Sequence, residues 1–405
     1  MRRHRLRTAE IGVPRGFLFS AVAAGIKSRG KLDLALTAAP LGASAAALFT
    51  RNRVVAAPLQ VGRSHLKATA GRVRVLLVNS GNANCATGPA GRQDCERVCR
   101  ELAKLTQASP QDVFPSSTGI IGVRLPTKKM LRALPRLLSA QRGTAEAVDR
   151  FARAIMTTDT RPKLASAELR CGSRSVRILG IAKGAGMIHP QLATMLAFLF
   201  TDLDATATQL RRLLASACAE TFNRISVDGD TSTNDTVLLL ASGSSGIQLK
   251  DSRLGKQCVA AFTAVCHSLA GQIISDGEGV GHVVRLTVEQ ARSREEALRI
   301  ARAIAHSALV KTAWAGADPN WGRTLAAVGA SGVPLDPAGV NIFFGSHQVC
   351  RKGAACRFDE GAAHRYLSQP EYDVRVQLGR GRSRIRFLTC DLTAGYVHIN
   401  ADYST

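Results

Sequence analysis

The chain has 405 residues, 45% of them apolar, and its 54 Lys and Arg outnumber 30 Asp and Glu to give a net charge of +24. That length holds about two domains with a substantial core, and no apolar run of about 18 residues occurs, which leaves no transmembrane helix on that criterion. The basic start Met1-Arg2-Arg3-His4-Arg5-Leu6-Arg7 has no apolar stretch or small-residue cleavage site behind it and is not a secretory signal.

A charge of this size suggests a nucleic acid or an anionic surface as partner. The arginines, however, are spread along the chain without a basic tail, and aromatics make up only 5%, too few for base-stacking platforms. The reading is a basic solvated surface with a mild attraction for anionic substrates, no nucleic acid and no membrane. Ten cysteines fall at 85, 95, 99, 171, 218, 258, 266, 350, 356 and 390, with no Cys-x-x-Cys. Cys95 and Cys99 have helical spacing but no matching His pair, which argues against zinc. Without an export signal they read as reduced, mostly buried thiols of a cytoplasmic protein. No metal and no cofactor is expected.

In chain order, residues 14 to 62 read as strands and loops rich in Ala, Gly and Val. Residues 73–79 are a strand with a continuous apolar end. It runs into Ser80-Gly81-Asn82-Ala83-Asn84-Cys85-Ala86-Thr87-Gly88, where Asn and Gly supply turn chemistry. Residues 91–107 are helical in pattern, with Val98, Leu102 and Leu105 on one face. In Ser116-Ser117-Thr118-Gly119, a Thr-Gly pair can present a hydroxyl and a backbone N–H to a developing oxyanion, although an ordinary loop has the same composition. Helices are expected around 127–140 and 144–156, then the polar Met156-Thr157-Thr158-Asp159-Thr160, then a hairpin over 163–182 turning at Cys171-Gly172-Ser173.

After Thr194 come a strand, a helix over 207–218 and the acidic stretch 225–236. That stretch faintly resembles a calcium loop but lacks the glutamate at its twelfth position, so it reads as a buried polar turn. A short strand at 237–241 and an amphipathic helix at 255–274 lead to Ser275-Asp276-Gly277-Glu278-Gly279. A helix over 293–307 follows. Asp318-Pro319 and Asn320-Trp321-Gly322 read as turns, and the last third as strand-rich, with Asn400 a strand residue. There is no P-loop, no His-Glu-x-x-His and no Gly-x-Ser-x-Gly, and Gly277-x-Gly279-x-Gly281 lacks the strand–turn–helix context of a dinucleotide site.

The organising stretch is Lys183-Gly184-Ala185-Gly186-Met187-Ile188-His189-Pro190-Gln191-Leu192-Ala193-Thr194-Met195-Leu196. Thr194 before an apolar run is ordinarily a cap or a strand start. If the Ala193–Thr194 bond is cut, however, Thr194 gains an α-amine beside its own hydroxyl. With an unperturbed pKa of about 8, that amine is a base of the right strength for an N-terminal nucleophile. The string closely resembles the autocleavage segment of the ornithine acetyltransferases (glutamate N-acetyltransferases) of arginine biosynthesis. These carry Lys-Gly-Ser/Ala-Gly-Met-Ile, then Ala-Thr-Met-Leu, and split before that threonine. Further matches at Pro14-Arg15-Gly16-Phe17, Ala45 to Arg53, Ser80 to Gly88, Ile225 to Thr236, Leu309 to Ala313 and Asp318 to Arg323 extend the resemblance over nearly the whole chain. With so few residues ahead of Pro14, the resemblance also argues against an arginine-rich organelle transit peptide.

The resemblance implies an α/β (α+β) fold, a layered α-β-β-α sandwich similar to self-cleaving aminopeptidases, with a smaller C-terminal α/β region. It implies an α chain of residues 1–193 and a β chain of 194–405, assembled as an α2β2 heterotetramer. The implied activity transfers acetyl from N2-acetyl-L-ornithine to L-glutamate through an acetyl-threonine, in the cytoplasm. Acetyl-CoA is left open as a second donor. Thr194 is the implied nucleophile, and Thr118 and Gly119 the oxyanion hole. Thr160, Lys183, Glu278, Asn400 and Thr405 are the implied substrate contacts, with Thr157 and Thr158 open as alternatives to Thr160. Val280-Gly281-His282 departs from the family's Ala-Thr-Lys after the glutamate, which puts finer contacts there in doubt. The alternatives are an N-terminal-nucleophile aminopeptidase or amidase, and a basic nucleic-acid-binding protein.

Overall fold

The computed structural model describes residues 11–28, 30–189, 195–249 and 253–402. In chain order the first part comprises β1 (Leu18–Val22), β2 (Leu34–Phe49), α1 (Ala57–Ala68), β3 (Arg72–Asn82), α2 (Gly88–Thr106), β4 (Val113–Ile120), α3 (Thr127–Ser139), α4 (Ala145–Ala154), β5 (Lys163–Cys171), β6 (Arg174–Lys183), β7 (Leu196–Thr201), α5 (Ala207–Glu220), β8 (Thr236–Ala241) and α6 (Arg253–Ser275). Its strands form one eight-stranded sheet, in the order β4-β3-β2-β8-β7-β6-β5 with β1 also on β2.

The 16-residue β2 bends this sheet onto itself. Residues 34–38 pair antiparallel with both β1 and β3, whereas residues 44–49 pair with β8. Between them the register slips, at a segment holding Pro40, which has no N–H to give the ladder, and Leu41, 87% exposed. The two halves then face each other. Phe19 of β1 meets Phe200 of β7 edge-on at 5.1 Å, and Phe151 of α4 meets Phe198 at 6.0 Å. Each buried ring is worth roughly 1.5–3 kcal/mol of transfer free energy.

Strand alternation sends the other faces outward. Val75 and Leu77 pack under α2 and α3, while Val176, Ile178, Ala197, Leu199, Val237 and Leu239 pack under α5 and α6. The result is the expected α-β-β-α layering. Apolar residues from both sides of position 193 share the core beneath α5 and α6.

The segment Leu254–Ser275 of α6 has a mean hydropathy of 1.5, enough by length and composition to cross a membrane, and 44% of its most apolar window is buried in the molecule. Polar residues such as Gln257, Thr263, His267 and Ser268 interrupt it, which is why no unbroken apolar run marks it in the sequence. Its buried stripe, Cys258, Phe262, Val265, Cys266, Leu269 and Ile273, recurs every three or four residues. Gln272 of α6 also bonds both the N–H and the C=O of Leu164 in β5, at 3.1 and 2.9 Å. This is the geometry of a core helix on a sheet.

The C-terminal part comprises β9 (Val283–Ala291), α7 (Arg294–Ala305), α8 (Ala308–Ala315), α9 (Trp321–Gly329), β10 (Asn341–Phe344), β11 (His347–Arg351), β12 (Ala354–Ala355), α10 (Glu360–Leu367), β13 (Glu371–Gln377), β14 (Ser383–Cys390) and α11 (Ala394–Asp402). Its six strands, ordered β12-β11-β10-β13-β9-β14, enclose a separate core with α7 to α9.

Three expectations are corrected. Residues 57–62, expected as strand or loop, form the first half of α1: Pro58 suits a first helical turn, and the apolar face is too short to show a period. Asn320-Trp321-Gly322 starts α9, with the Asn320 side chain accepting from the Arg323 N–H at 3.1 Å, so the turn residue is an N-cap. Asn400 lies on α11, not on a strand. The Tyr-Val-His-Ile run looks extended, but β14, the strand before it, pairs with β9, and the segment closes its hydrogen bonds on itself.

Candidate active site

The expectations at Ala193, Thr194 and Thr405 lie outside the described residues. The others can be placed. Thr118, Gly119, Lys183, Glu278 and Asn400 line one cleft, which holds about 590 Å3 of empty space counted out to its open mouth. Thr157 and Thr158, Ala185 to Met187 and Ser232 to Asn234 also line it.

Thr118 and Gly119 end β4, whose parallel neighbour β3 pairs Ser80 with Thr118 and Gly81 with Gly119. Gly119 has φ +131°, and a Cβ there would collide with the Gly81–Asn82 backbone, so only glycine fits. Lys183 ends β6, opposite Leu196 of β7. Its ammonium, 3% exposed as a residue, donates to the Thr118 hydroxyl oxygen at 3.1 Å. Thr118 thus accepts on one side and keeps its own proton to donate. Burial pulls the Lys183 pKa below its ordinary value, opposed by the carboxylates of Asp159, Asp235 and Glu278.

Glu278 follows α6. Its N–H donates to the Ala185 carbonyl at 3.0 Å, and its carboxylate accepts from the Asn400 amide at 2.9 Å. A Cβ on Gly186 would force that carboxylate to shift. Asp228 accepts from the Met187 N–H at 2.6 Å and from the Tyr396 hydroxyl at 3.3 Å, tying the 184–189 loop to α11; burial raises its pKa to about 6. The acidic stretch is therefore a polar support for the loop, and among the described residues no cluster of His, Cys, Asp or Glu is placed to hold a metal ion.

Thr160 does not line the cleft. Its N–H and hydroxyl both bond the Asp276 carboxylate, which fastens the loop and presents Thr157 and Thr158 instead. Beneath it lies a network that sequence reasoning missed. Lys163, fully buried, donates to Asp159 and to Asp276 at 2.6 Å each, and Asp159 also accepts from the N–H groups of Thr157 and Gly184 at 3.0 and 2.7 Å. Burial alone would raise the Asp159 pKa, but the charges of Lys163 and Lys183 outweigh it and hold the carboxyl well below its usual range. Lys27 holds the Met156 carbonyl at 2.6 Å, with its pKa lowered by burial to about 8. Asn234 ties the opposite wall together, donating to the carbonyls of Ala83 and Ser117 at 2.7 and 2.9 Å. None of these side chains has a periodicity that marks it; only the Asn-rich and acidic runs around positions 79–84 and 228–235 hinted at polar support. Of the nine cysteines whose side chains are described, eight are buried.

A sequence model of the ArgJ family matches residues 18–405. The chain belongs to the ArgJ family. The arginine biosynthesis bifunctional protein ArgJ of Methylococcus capsulatus is 45% identical over 396 residues, covering 96% of this chain and 95% of that protein. Its counterpart in Thermus thermophilus is 44% identical over 396 residues, covering 98% and 100%. The crystal structure of arginine biosynthesis bifunctional protein ArgJ from Bacillus halodurans matches with a TM-score of 0.50 at 38% identity, over 52% of this chain and 100% of that one. In this ArgJ-family chain the cleft lies at the ends of β4 and β6, two strands from opposite halves of the folded sheet.

Proposed function

We propose that this ArgJ-family acyltransferase of arginine biosynthesis cuts itself before Thr194 and then moves acetyl from N2-acetylornithine to glutamate by way of an acetyl-threonine. The observation that carries this reading is the Lys183–Thr118 hydrogen bond beside Gly119, at one end of a cleft whose other wall holds Glu278 with Asn400. One wall offers a cation and a polarised hydroxyl donor, the other an anion, which suits an acylated amino acid. The Bacillus halodurans chain, matched along its whole length by 52% of this one, is also in keeping with a break at this position, since residues 194–405 make up about 52% of the sequence.

In the uncut chain the Thr194 hydroxyl attacks the Ala193 carbonyl. The peptide C–N bond breaks, the nitrogen takes the hydroxyl proton, and water hydrolyses the ester. In the mature enzyme the Thr194 oxygen attacks the acetyl carbonyl while its α-amine takes the proton. Thr118, its oxygen already accepting from Lys183, donates its proton to the oxyanion together with the Gly119 N–H. Ornithine leaves with the proton from the amine, and the amine of glutamate resolves the ester. The α and β pieces stay together as an α2β2 assembly in the cytoplasm.

Two measurements test this. Initial rates varied against N-acetylornithine and glutamate should give parallel double-reciprocal lines, because the covalent ester forms before glutamate is consumed. Intact mass after incubation with N-acetylornithine alone should show the 194–405 piece gaining one acetyl group. Intersecting lines, or acetate released at a rate that ignores glutamate, would make the protein an amidase. Thr118→Ala should lower turnover by roughly 10²–10³ with little effect on folding, and unchanged turnover would remove Thr118 from the oxyanion hole.

A further inference from the structure

The Asp159 carboxylate joins two stretches of chain that line the cleft. Its Oδ1 accepts from the Lys163 ammonium at 2.6 Å and from the Gly184 N–H at 2.7 Å, and its Oδ2 accepts from the Thr157 N–H at 3.0 Å. Gly184 follows Lys183, the last residue of β6, and its φ of +147° is a conformation that favours glycine. The hydrogen bond to Asp159 therefore fixes the peptide that leaves Lys183. Thr157, held by the other oxygen, lines the same cleft.

The same carboxylate acts on the Lys183 charge. Facing that ammonium are Asp159, Lys163 on β5, Asp235 ahead of β8, Glu278 after α6 and Lys27 ahead of β2. Burial favours the neutral amine, and among the carboxylates Asp159 opposes this most strongly. The charge state matters because of what Lys183 touches. An ammonium only donates, so the Thr118 oxygen accepts from it and the Thr118 proton is left for a developing oxyanion. A neutral amine has a lone pair that can accept the Thr118 proton and turn the donor away.

We propose that Asp159 is a positioning residue for acetyl transfer, its carboxylate aiming the Lys183 ammonium at Thr118 through the Gly184 N–H and presenting Thr157 through that residue's own N–H. This rests on the reading of Thr118 as an oxyanion donor. Asp159 touches neither substrate nor the reacting atoms; it acts through the groups that do.

The test compares Asp159→Asn with Lys163→Met. Both break the same buried ion pair, so damage to the fold alone moves them the same way. Their effects on Lys183 are opposite. Asp159→Asn removes an anion that favours the ammonium, so the descending limb of the pH–kcat profile should move about one unit lower, with kcat at the optimum reduced on the order of tenfold. Lys163→Met removes a cation that disfavours the ammonium, so the same limb should move higher. Limbs that move the same way, or either limb unmoved, overturn the inference. Should Asp159→Asn be too unstable to purify, Asp159→Glu keeps the charge and displaces the carboxylate by one methylene. Its kcat should then fall several-fold with the limb in place, and a wild-type kcat overturns the inference. If Thr118→Ala leaves turnover unchanged, the oxyanion reading and this inference fall together. If Thr118→Ala lowers turnover and Asp159→Asn matches wild type, only the inference falls.

Discussion

Thr194→Ala is expected to leave a single full-length chain and to remove acetyl transfer altogether, because one hydroxyl serves both the cleavage and the acetyl ester. Wild-type protein should resolve on denaturing electrophoresis into two pieces of nearly equal size, the second beginning Thr-Met-Leu on N-terminal sequencing. Its native size should not change on cleavage. β6 and β7 lie on opposite sides of the cut and pair antiparallel from Lys183–Leu196 to Ile178–Thr201. Side chains from both pieces also interdigitate under α5 and α6. Chain entropy released at one bond does not separate strands bonded along their length. A single full-length band from protein that transfers acetyl would sink the proposal.

The largest stability effect should come from Lys163→Ala, at about 3–5 kcal/mol. Lys163 and Asp159 are fully buried, and Asp276 nearly so. Removing the lysine strands two carboxylates without their shared counter-ion. The pH dependence gives the sign. Lys163 helps hold the Asp159 pKa below its unfolded value, so its contribution is present above about pH 4 and is lost as pH falls through the folded value. The loss measured by denaturant unfolding should therefore be greatest near neutral pH and shrink in acid. A loss below about 1 kcal/mol at pH 7 would place the pair among surface salt bridges in its energetics. Lys163→Met, which fills the space but not the charge, should recover only part of the loss.

Much of the architecture is legible along the chain because its elements obey short-range rules. The hairpin of β5 and β6 is marked by alternation and a Gly turn, and α6 by its apolar stripe. The cleft residues were legible for another reason. Thr118, Gly119, Lys183, Glu278 and Asn400 sit in strings whose order resembles a family, while their composition is that of ordinary loops and strands. Physical chemistry alone could not have separated the Thr118-Gly119 hydroxyl and N–H from any other polar strand end, since the donor matters only once Lys183, 65 residues away, reaches it.

The sequence by itself determined the layered α/β fold, the family and five of the residues on the cleft walls, Thr118, Gly119, Lys183, Glu278 and Asn400. Local periodicity and an ordered string of motifs are properties of the chain, readable without knowing what touches what. Only the tertiary structure decided that Thr157 and Thr158 line the cleft while Thr160 turns to Asp276, that Asn400 is presented by a helix, and that Lys163 and Asp235 lie buried beneath the site. Each of those outcomes depends on partners brought from 100 or so residues away in the sequence. The energy of a buried charge is set by that surrounding field, not by the residues on either side of it in the chain.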